Sequence, residues 1–476
     1  MIKIIITLVL LLNLHAQETK ETKTLTSLAD DTLFHVDRVS GLSIHDAINR
    51  AIQNSPKIQA AKQVVIQDKM KVQEANAGHL PVITFSGDGG YETRNVKKDS
   101  NNPSNTAALT VNQKYKKVDL YLTITENLWN GGAIEDVVDE KEASLQASLY
   151  DFRDKLEALV VETASTYFDV VYAEIALKIS RKNMQSYEKI LNIVDVKEKN
   201  GAATKGDVNF IRANVDNAKT ALVQREKTLA DALAKYTYLL QTQESSLMPF
   251  EIESPLYLTD LNTSLKDADS FNAKILRQRA YIKATSFSFR ATRGSFHPKV
   301  DFAINGESRN DYDIGLGKRE KVNAMIMFNY NLYRGQKDEA RAIRLLSKIK
   351  EQKFLYQDIE RQLVFDIKVL NQSVSSLSQS LALTEKEVLA ARKVVTSYWI
   401  AFQHGTQDLQ ALQLAQRNLN SAEQSYAKYK QDLLVNNYKL MRKTGVLLKF
   451  LDIIYKKEAE EFNEDVKIFD KYYDLK

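Results

Sequence analysis

Cysteine is absent from the chain. That excludes disulfides, thiolate metal sites and a cysteine nucleophile, and it removes the attachment point that a lipid-anchored secreted protein carries after its signal peptide. Proline and glycine are scarce, 6 and 16 among 476 residues, so long helices without breakers are expected. Beyond the first dozen residues no run reaches the roughly 18 to 20 apolar positions that a membrane-spanning helix needs. A closed β-barrel is then the one way in which the mature chain could cross a bilayer. An excess of one charge sign is also missing: 66 basic and 61 acidic side chains are interspersed, with a net charge of +5 and no Lys/Arg block, which gives no support to nucleic-acid binding. The motifs HExxH, GxSxG and GxxxxGK[ST] do not occur, and the carboxylate pairs scattered along helical stretches read as solvated faces. No catalytic residue, metal ligand or cofactor site is expected, and the chain does not read as an enzyme. His79 and His297, at helix-to-strand junctions, read as structural.

What is present begins with a signal peptide at residues 1–16. Lys3 supplies its positive end, Ile4 to Leu12 its apolar core, and Leu14-His15-Ala16 its cleavage site before Gln17. The mature chain therefore works outside the cytoplasm, and residues 17–41 form an N-terminal extension.

Two landmarks then recur at an offset of 204 residues: Glu126 to Gly132 (ENLWNGG) returns as Tyr330 to Gln336 (YNLYRGQ), and Asn200-Gly201-Ala202 returns as His404-Gly405-Thr406. A third pair, His79-Leu80-Pro81-Val82 and His297-Pro298-Lys299-Val300, is offset further because a polar stretch of the first copy is longer, where insertions are tolerated. Spacing held over most of the chain indicates a duplicated unit, 42–242 and 265–452, with a linker at 243–264 and a tail at 453–476. Each copy opens with a helix. The first starts at a capping pattern, Ser43 with Asp46, and runs to about Ala77; the second runs from about Leu265 to Arg293.

Two period-two strands follow in each copy, at about 81–92 and 117–129, and at about 298–307 and 321–333. Val118, Leu120, Leu122 and Ile124 oppose Asp119, Tyr121, Thr123 and Thr125, and in the second copy Val322, Ile326 and Phe328 oppose Asn323 and Asn329. Polar loops, roughly Thr93 to Lys116 and Ser308 to Glu320, join the strands of each pair. Four strands are too few to close a barrel, and an open edge in hydrocarbon leaves backbone groups unsatisfied, so a membrane barrel would be shared between chains. Trp129 and Tyr333 then stand at the membrane-to-helix junctions, where amphipathic rings favour the lipid interface. The same pattern also suits a soluble sheet that packs its apolar face, Trp129 and Tyr333 included, on helices.

Helical hairpins follow at about 134–242 and 337–451. The long first arms, Ile134 to Lys199 and Lys337 to Gln403, would each extend about 100 Å at ~1.5 Å per residue. Leu145, Leu149, Phe152, Leu156 and Leu159, and Leu412 through Leu433, step by three and four as coiled-coil seams do. In each copy the shorter return helix and the opening helix, placed end to end, match the long arm. The tail carries Phe462, Val466, Phe469 and Tyr473 at helical spacing, as an amphipathic helix or a frayed end.

The order of helix, HLPVI or FHPKVDF, strand pair, NLWNGG or NLYRGQ, long helix, NG or HG turn and return helix resembles the TolC family of outer-membrane efflux and secretion channels, over about Leu42 to Ile454. The resemblance implies a mainly α fold with a membrane β-barrel: a homotrimer with a shared 12-stranded barrel, a periplasmic α-helical barrel and an equatorial belt, in the outer membrane of a Gram-negative bacterium. It implies a passive exit duct for a type I secreted protein or small toxic compounds, docked on a periplasmic adaptor and an inner-membrane ABC or proton-driven transporter. The absence of a lipid-attachment cysteine and the stretch Asn331 to Arg341 (NLYRGQKDEAR) resemble the type I secretion members. The turns at Gly201 and Gly405 correspond to the periplasmic tips. Thr204 and Asp207 match the family's tip sequence and also form a capping box. Where the family often has a basic residue and two carboxylates, this chain has Gln407, Ala411 and Leu414, so any constriction is expected to be more apolar; Asp408, in the first turn of the return helix, reads as a helix-dipole partner rather than a gate. A periplasmic coiled-coil scaffold or adaptor and a secreted helical adhesin are the competing classes. Both leave the four strands and the duplication unexplained.

Leu122→Arg or Ile326→Arg puts charge on the apolar strand face and is expected to cost about 2 to 4 kcal/mol near mid-membrane, whereas Thr123→Arg and Asn329→Arg on the polar face assemble. Equal recovery of all four variants in the outer-membrane fraction would show that the strands do not lie in lipid.

Overall fold

The computed structural model describes residues 42–96, 111–241, 259–311 and 317–453. The signal peptide, the 17–41 extension, most of the linker and nearly all of the tail lie outside the described residues. The elements are α1 (Ile44–Asn54), α2 (Pro56–Asn76), β1 (Val82–Val96), β2 (Val111–Trp129), α3 (Ala133–Lys199), α4 (Lys205–Leu240), α5 (Leu261–Phe271), α6 (Ala273–Thr292), β3 (Lys299–Asp311), β4 (Gly317–Asn329), α7 (Lys337–Gln403), α8 (Leu409–Thr444) and α9 (Leu447–Phe450).

The opening helix of each copy, expected as one piece, is broken in two. Ser43 caps α1 through the Asp46 amide as its pattern suggests. Pro56 then forces Ser55 into extended backbone (φ −73°, ψ 113°) and begins α2 at the one position where a missing N–H costs nothing. In the second copy Asn272 does the same work without a proline: its side-chain oxygen accepts from the amides of Lys274 and Ile275 and so starts α6. The helix before it starts at Leu261, capped by Asp260, rather than at 265. Both breaks serve one purpose. Asn54 donates its side-chain amide to the carbonyl of Leu240 at 2.9 Å, and Asn272 donates to that of Lys443 at 2.9 Å, so each break clamps the last turn of the return helix in its own copy. The return helix of the second copy is also shorter than the 406–451 span expected. It starts after Asp408 and stops at Gly445 (φ +78°), where any Cβ would lie 2.4 Å from the backbone of Phe271.

The chain divides into two compact units. The strand unit holds Gln63–Tyr150 and Leu276–Asp358. Its sheet is antiparallel throughout in the order β1-β2-β3-β4, which leaves β1 and β4 as edges within the chain. The strands outrun the alternating apolar stretches: β1 continues to Val96, β2 begins at Val111 and β3 continues to Asp311, so much of the two expected loops is strand. Ladder pairing needs only backbone groups, so it continues past the alternating apolar stretches. β4 is displaced the other way, ending at Asn329 and leaving Tyr333 beyond it. The first six residues of β2, 111–116, pair with 91–96 of β1, while β3 joins only from Lys117, so a two-stranded ribbon projects past the four-stranded sheet. One face of the sheet is apolar and open, with Phe85 and Ile326 both 71% exposed; on the other, Asp119 is fully buried. At the base of the sheet, Gly294 lies so close to Ala133 and the Asn130 carbonyl that a side chain there would collide, and Arg290 pairs with Asp136 at 2.7 Å and Asp139 at 3.1 Å.

The helical unit holds Met1–Lys62, Asp151–Ile275 and Ile359–Lys476. The expected seams are its core: Phe152, Leu156 and Leu159 on α3 and Leu412, Ala415, Leu419, Ala422, Tyr426 and Leu433 on α8 are all buried. Leu145, Leu149 and Tyr429 are only half-buried. Tyr167 donates its hydroxyl to the carbonyl of Leu42, and Phe168 meets Tyr438 edge to face at 5.7 Å. Ions are buried here as well. Glu157 accepts from Arg153 at 2.9 Å, Arg153 reaches on to the carbonyl of Gly445, and Arg442 pairs with Asp154 at 3.0 Å.

Burial pushes the Glu157 carboxyl up from 4.5 to about 7, with Arg153 offsetting only part of the effect. Between those two values the folded chain holds a proton that the unfolded chain has released. Glu157 therefore favours the fold at low pH, and that contribution is lost as pH rises to about 7; at ~1.4 kcal/mol per pH unit it amounts to at most about 3 kcal/mol per chain. The unfolding temperature of the purified protein should fall between about pH 5 and 7, and Glu157→Gln should flatten that slope. An unchanged slope in the variant would remove Glu157 as its source.

Candidate functional site

The turns at Gly201 and Gly405 lie in the helical unit and are built alike. At the first, α3 ends with the Ala202 amide donating to Lys197 and the Gly201 amide to Glu198, Gly201 adopting φ +72°. At the second, Thr406 donates to Ala401 and Gly405, at φ +76°, donates to Phe402. Both are left-handed caps that favour glycine. The starts of the return helices differ. Thr204 and Asp207 close a full capping box, in which the Thr204 amide donates to Asp207 at 2.9 Å and the Asp207 amide donates back to the Thr204 hydroxyl at 3.1 Å. Donation from the Thr204 amide and hydroxyl holds the Asp207 carboxyl below the usual carboxylate range. Asp408 is not in the first turn of α8 but is its N-cap, accepting from the Ala411 amide at 2.6 Å.

The two hairpin ends share one apolar cluster, in which Tyr187, Ile190, Val194, Ile211 and Val215 of the first surround Phe402 and Leu412 of the second. Leu412 points into this cluster, while Ala411 is half-buried and Leu414 is 52% exposed, so the first two turns of α8 offer these two residues, three apart, to the outside. Gln407 is half-buried.

Sequence reasoning missed Lys197. From the last turn of α3 it crosses to the other hairpin, donates to the carbonyl of Phe402 at 2.6 Å and lies 4.0 Å from the centre of the Phe402 ring. A lysine in a last helical turn is an ordinary dipole partner, and nothing in the sequence says which carbonyl it reaches. Behind the tip, polar links from Asn214 to Gln413 and from Arg225 to Gln424 continue the joint, and within the second hairpin Arg392 pairs with the buried Glu423 at 2.8 Å.

In the strand unit, Trp129 is the last residue of β2 and stacks edge-on to His297 at 5.7 Å. His297 in turn covers the backbone of Gly131 so closely that a Cβ there would sit 2.8 Å from it, which accounts for both the glycine and the histidine structurally. Tyr333 is exposed beyond β4. Among the described residues no cluster could hold a metal ion, and no helix is long and apolar enough to cross a membrane.

A small antiparallel sheet with an open apolar face and paired long helical hairpins are the elements of a TolC-like outer-membrane channel fold. The sequence profile of the family described as "Outer membrane efflux protein" matches residues 47–240 and 265–446, and the chain belongs to that family. The TolC resemblance is thereby borne out, with an outer-membrane location and a channel rather than an enzyme. Among solved structures the fold is similar to the CmeC outer membrane channel of Campylobacter jejuni (TM-score 0.71, 15% identity, 91% of this chain and 94% of that one). It is also similar to the outer membrane protein VceC of Vibrio cholerae (TM-score 0.68, 15% identity, 84% and 96%). The toluene efflux pump outer membrane protein TtgC and the antibiotic efflux pump outer membrane protein ArpC, both of Pseudomonas putida, are 25% identical over 158 residues, 32% of this chain and 32% of each of theirs. The chain thus matches about a third of the length of these curated relatives.

Lys197→Met keeps the contact with the Phe402 ring and loses the hydrogen bond, a loss of about 1 to 2 kcal/mol in coupling between the hairpin ends. Amide hydrogen exchange at residues 402–406 should quicken accordingly; unchanged protection there would mean that Lys197 does not hold the joint.

Proposed function

We propose that the chain is one subunit of a homotrimeric exit duct, in which three four-stranded sheets close a 12-stranded barrel and six helical hairpins form the periplasmic tube. The observation that carries this reading is the sheet: its apolar face is open, and its two edge strands would be unsatisfied in lipid unless other copies paired with them. The duct conducts passively, and a periplasmic adaptor and an inner-membrane ABC or proton-driven transporter supply its cargo. Small toxic compounds are the cargo class favoured by the names of the Pseudomonas putida relatives. A type I secreted protein is the second reading, favoured by the stretch Asn331 to Arg341. Gly201, Thr204, Asp207, Gly405, Gln407 and Asp408 shape the tips, and Ala411 and Leu414 form an apolar ring that resists ions by dewetting. Trp129 and Tyr333 anchor the membrane junction.

The test has two parts. The protein should fractionate as a detergent-requiring outer-membrane oligomer; release by osmotic shock would sink the duct. In planar bilayers the wild type should conduct poorly with little block by divalent cations. Leu414→Asp, which crowds like charges near the axis, should raise conductance and create such block. Strong divalent block in the wild type, or no change in the variant, would remove Ala411 and Leu414 from the constriction.

A further inference from the structure

The polar face of the sheet carries a charge network that neither strand pair forms alone. Asp119 on β2 stands directly opposite Asp88 on β1 and Arg309 on β3, and Glu307 stands opposite Tyr121 and Lys321. Asp119, fully buried, takes Lys117 at 3.0 Å, Arg309 at 3.2 Å and the Tyr121 hydroxyl at 3.0 Å. Lys117 also reaches Asp88 at 3.4 Å, and Arg309 also reaches Glu307 at 3.0 Å. Three acids (Asp88, Asp119, Glu307) thus meet four bases (Lys117, Arg309, Lys321 and Arg319, which stands directly opposite Arg309) in one band, and Glu92, 4.0 Å from Lys117, adds the fourth acid. Nearer the helices the same face changes character. There Thr84, Thr123, Thr125, Asn305 and Asn323 offer hydroxyls and amides, and the charges next to them, Asp301 and Lys299, pair with each other at 2.9 Å.

We propose that this band is a charge-compensated selectivity annulus of the barrel, with Asp119 neutralised by Lys117 and Arg309 so that the exit passes anions and cations almost equally and suits neutral or zwitterionic cargo. The proposal rests on the duct reading, which turns the polar face toward the lumen. Fixed charges lining a low-dielectric wall act strongly on ions in a narrow aqueous path, so an exposed excess of one sign would impose a preference. Pairing within the wall cancels that field. The cross-strand register places the compensating groups side by side and makes the balance a property of the fold as well as of composition. It also makes the balance fragile in two opposite directions: removing the acid leaves two cations, and removing the cations leaves the acids.

The experiment is the reversal potential of purified trimers in planar bilayers under a KCl gradient. The tip is common to every protein compared, so differences between them report the barrel. The wild type should show a cation-to-anion permeability ratio near one. Asp119→Asn should move it toward anions, and the double variant Lys117→Met with Arg309→Met toward cations, each by roughly threefold at about 0.1 M salt, with both shifts shrinking toward 1 M as screening shortens from ~10 Å to ~3 Å. Thr84→Val, on the same face but outside the band, should leave the ratio unchanged. If Asp119→Asn does not assemble, Glu307→Gln takes its place and shifts the same way. Shifts of the same sign in the acid and base variants, an equal shift in Thr84→Val, or no shift in conducting channels would overturn the annulus while leaving the duct intact. A wild type released by osmotic shock instead of being held in the outer membrane would overturn the duct, and the annulus with it.

Discussion

A peptide group left without a partner in hydrocarbon costs several kcal/mol, and this constraint organises the molecule. It accounts for every described strand pairing with its sequence neighbour, in the order β1-β2-β3-β4, so that only two strand edges are left within the chain. It explains why the polypeptide leaves the sheet abruptly at Gly131 and Gly132, both in left-handed backbone, with Asn130 capping α3 through the Ala133 amide. And it explains the division of labour between side chains: Phe85, Val322 and Ile326 meet the outside of the sheet, while charged groups gather where they can neutralise one another.

The duplicated unit meets the same mechanical needs twice with different residues. A break in the opening helix is made by Pro56 in one copy and by the side chain of Asn272 in the other, yet both copies use an asparagine amide to hold the end of the return helix. The return helix itself ends on left-handed Gln241 in the first copy and on Gly445 in the second, where the backbone of Phe271 leaves no room for a side chain. Geometry has been kept between the copies more closely than chemistry.

Much of this was legible in the sequence, because period two and period three-four patterns, glycine turns and a repeated spacing are local signals. The long helices α3 and α7 and the capping box at Thr204 stand where those signals put them. The break at Asn272 was not legible, since an asparagine followed by Ala273 looks like any helical residue until its partner at Lys443 is in place. Strand ends were misjudged for a related reason: beyond the apolar stretch, pairing is a matter of backbone alone. Asp408 shifted by one role, from first turn to cap, because a carboxylate suits either position. Lys197 and the Asp119 network depend on partners far away in sequence, at Phe402 and Arg309, and no periodicity announces such meetings.

The ribbon formed by residues 91–96 and 111–116 outreaches β3 and β4 by six residues, about 20 Å of extended chain. In a closed barrel the rim would then be crenellated, tall hairpins of the first copy alternating with short ones of the second. Whatever approaches the cell from outside, an antibody or a phage fibre, would touch the first copy's merlons long before it reached the second's.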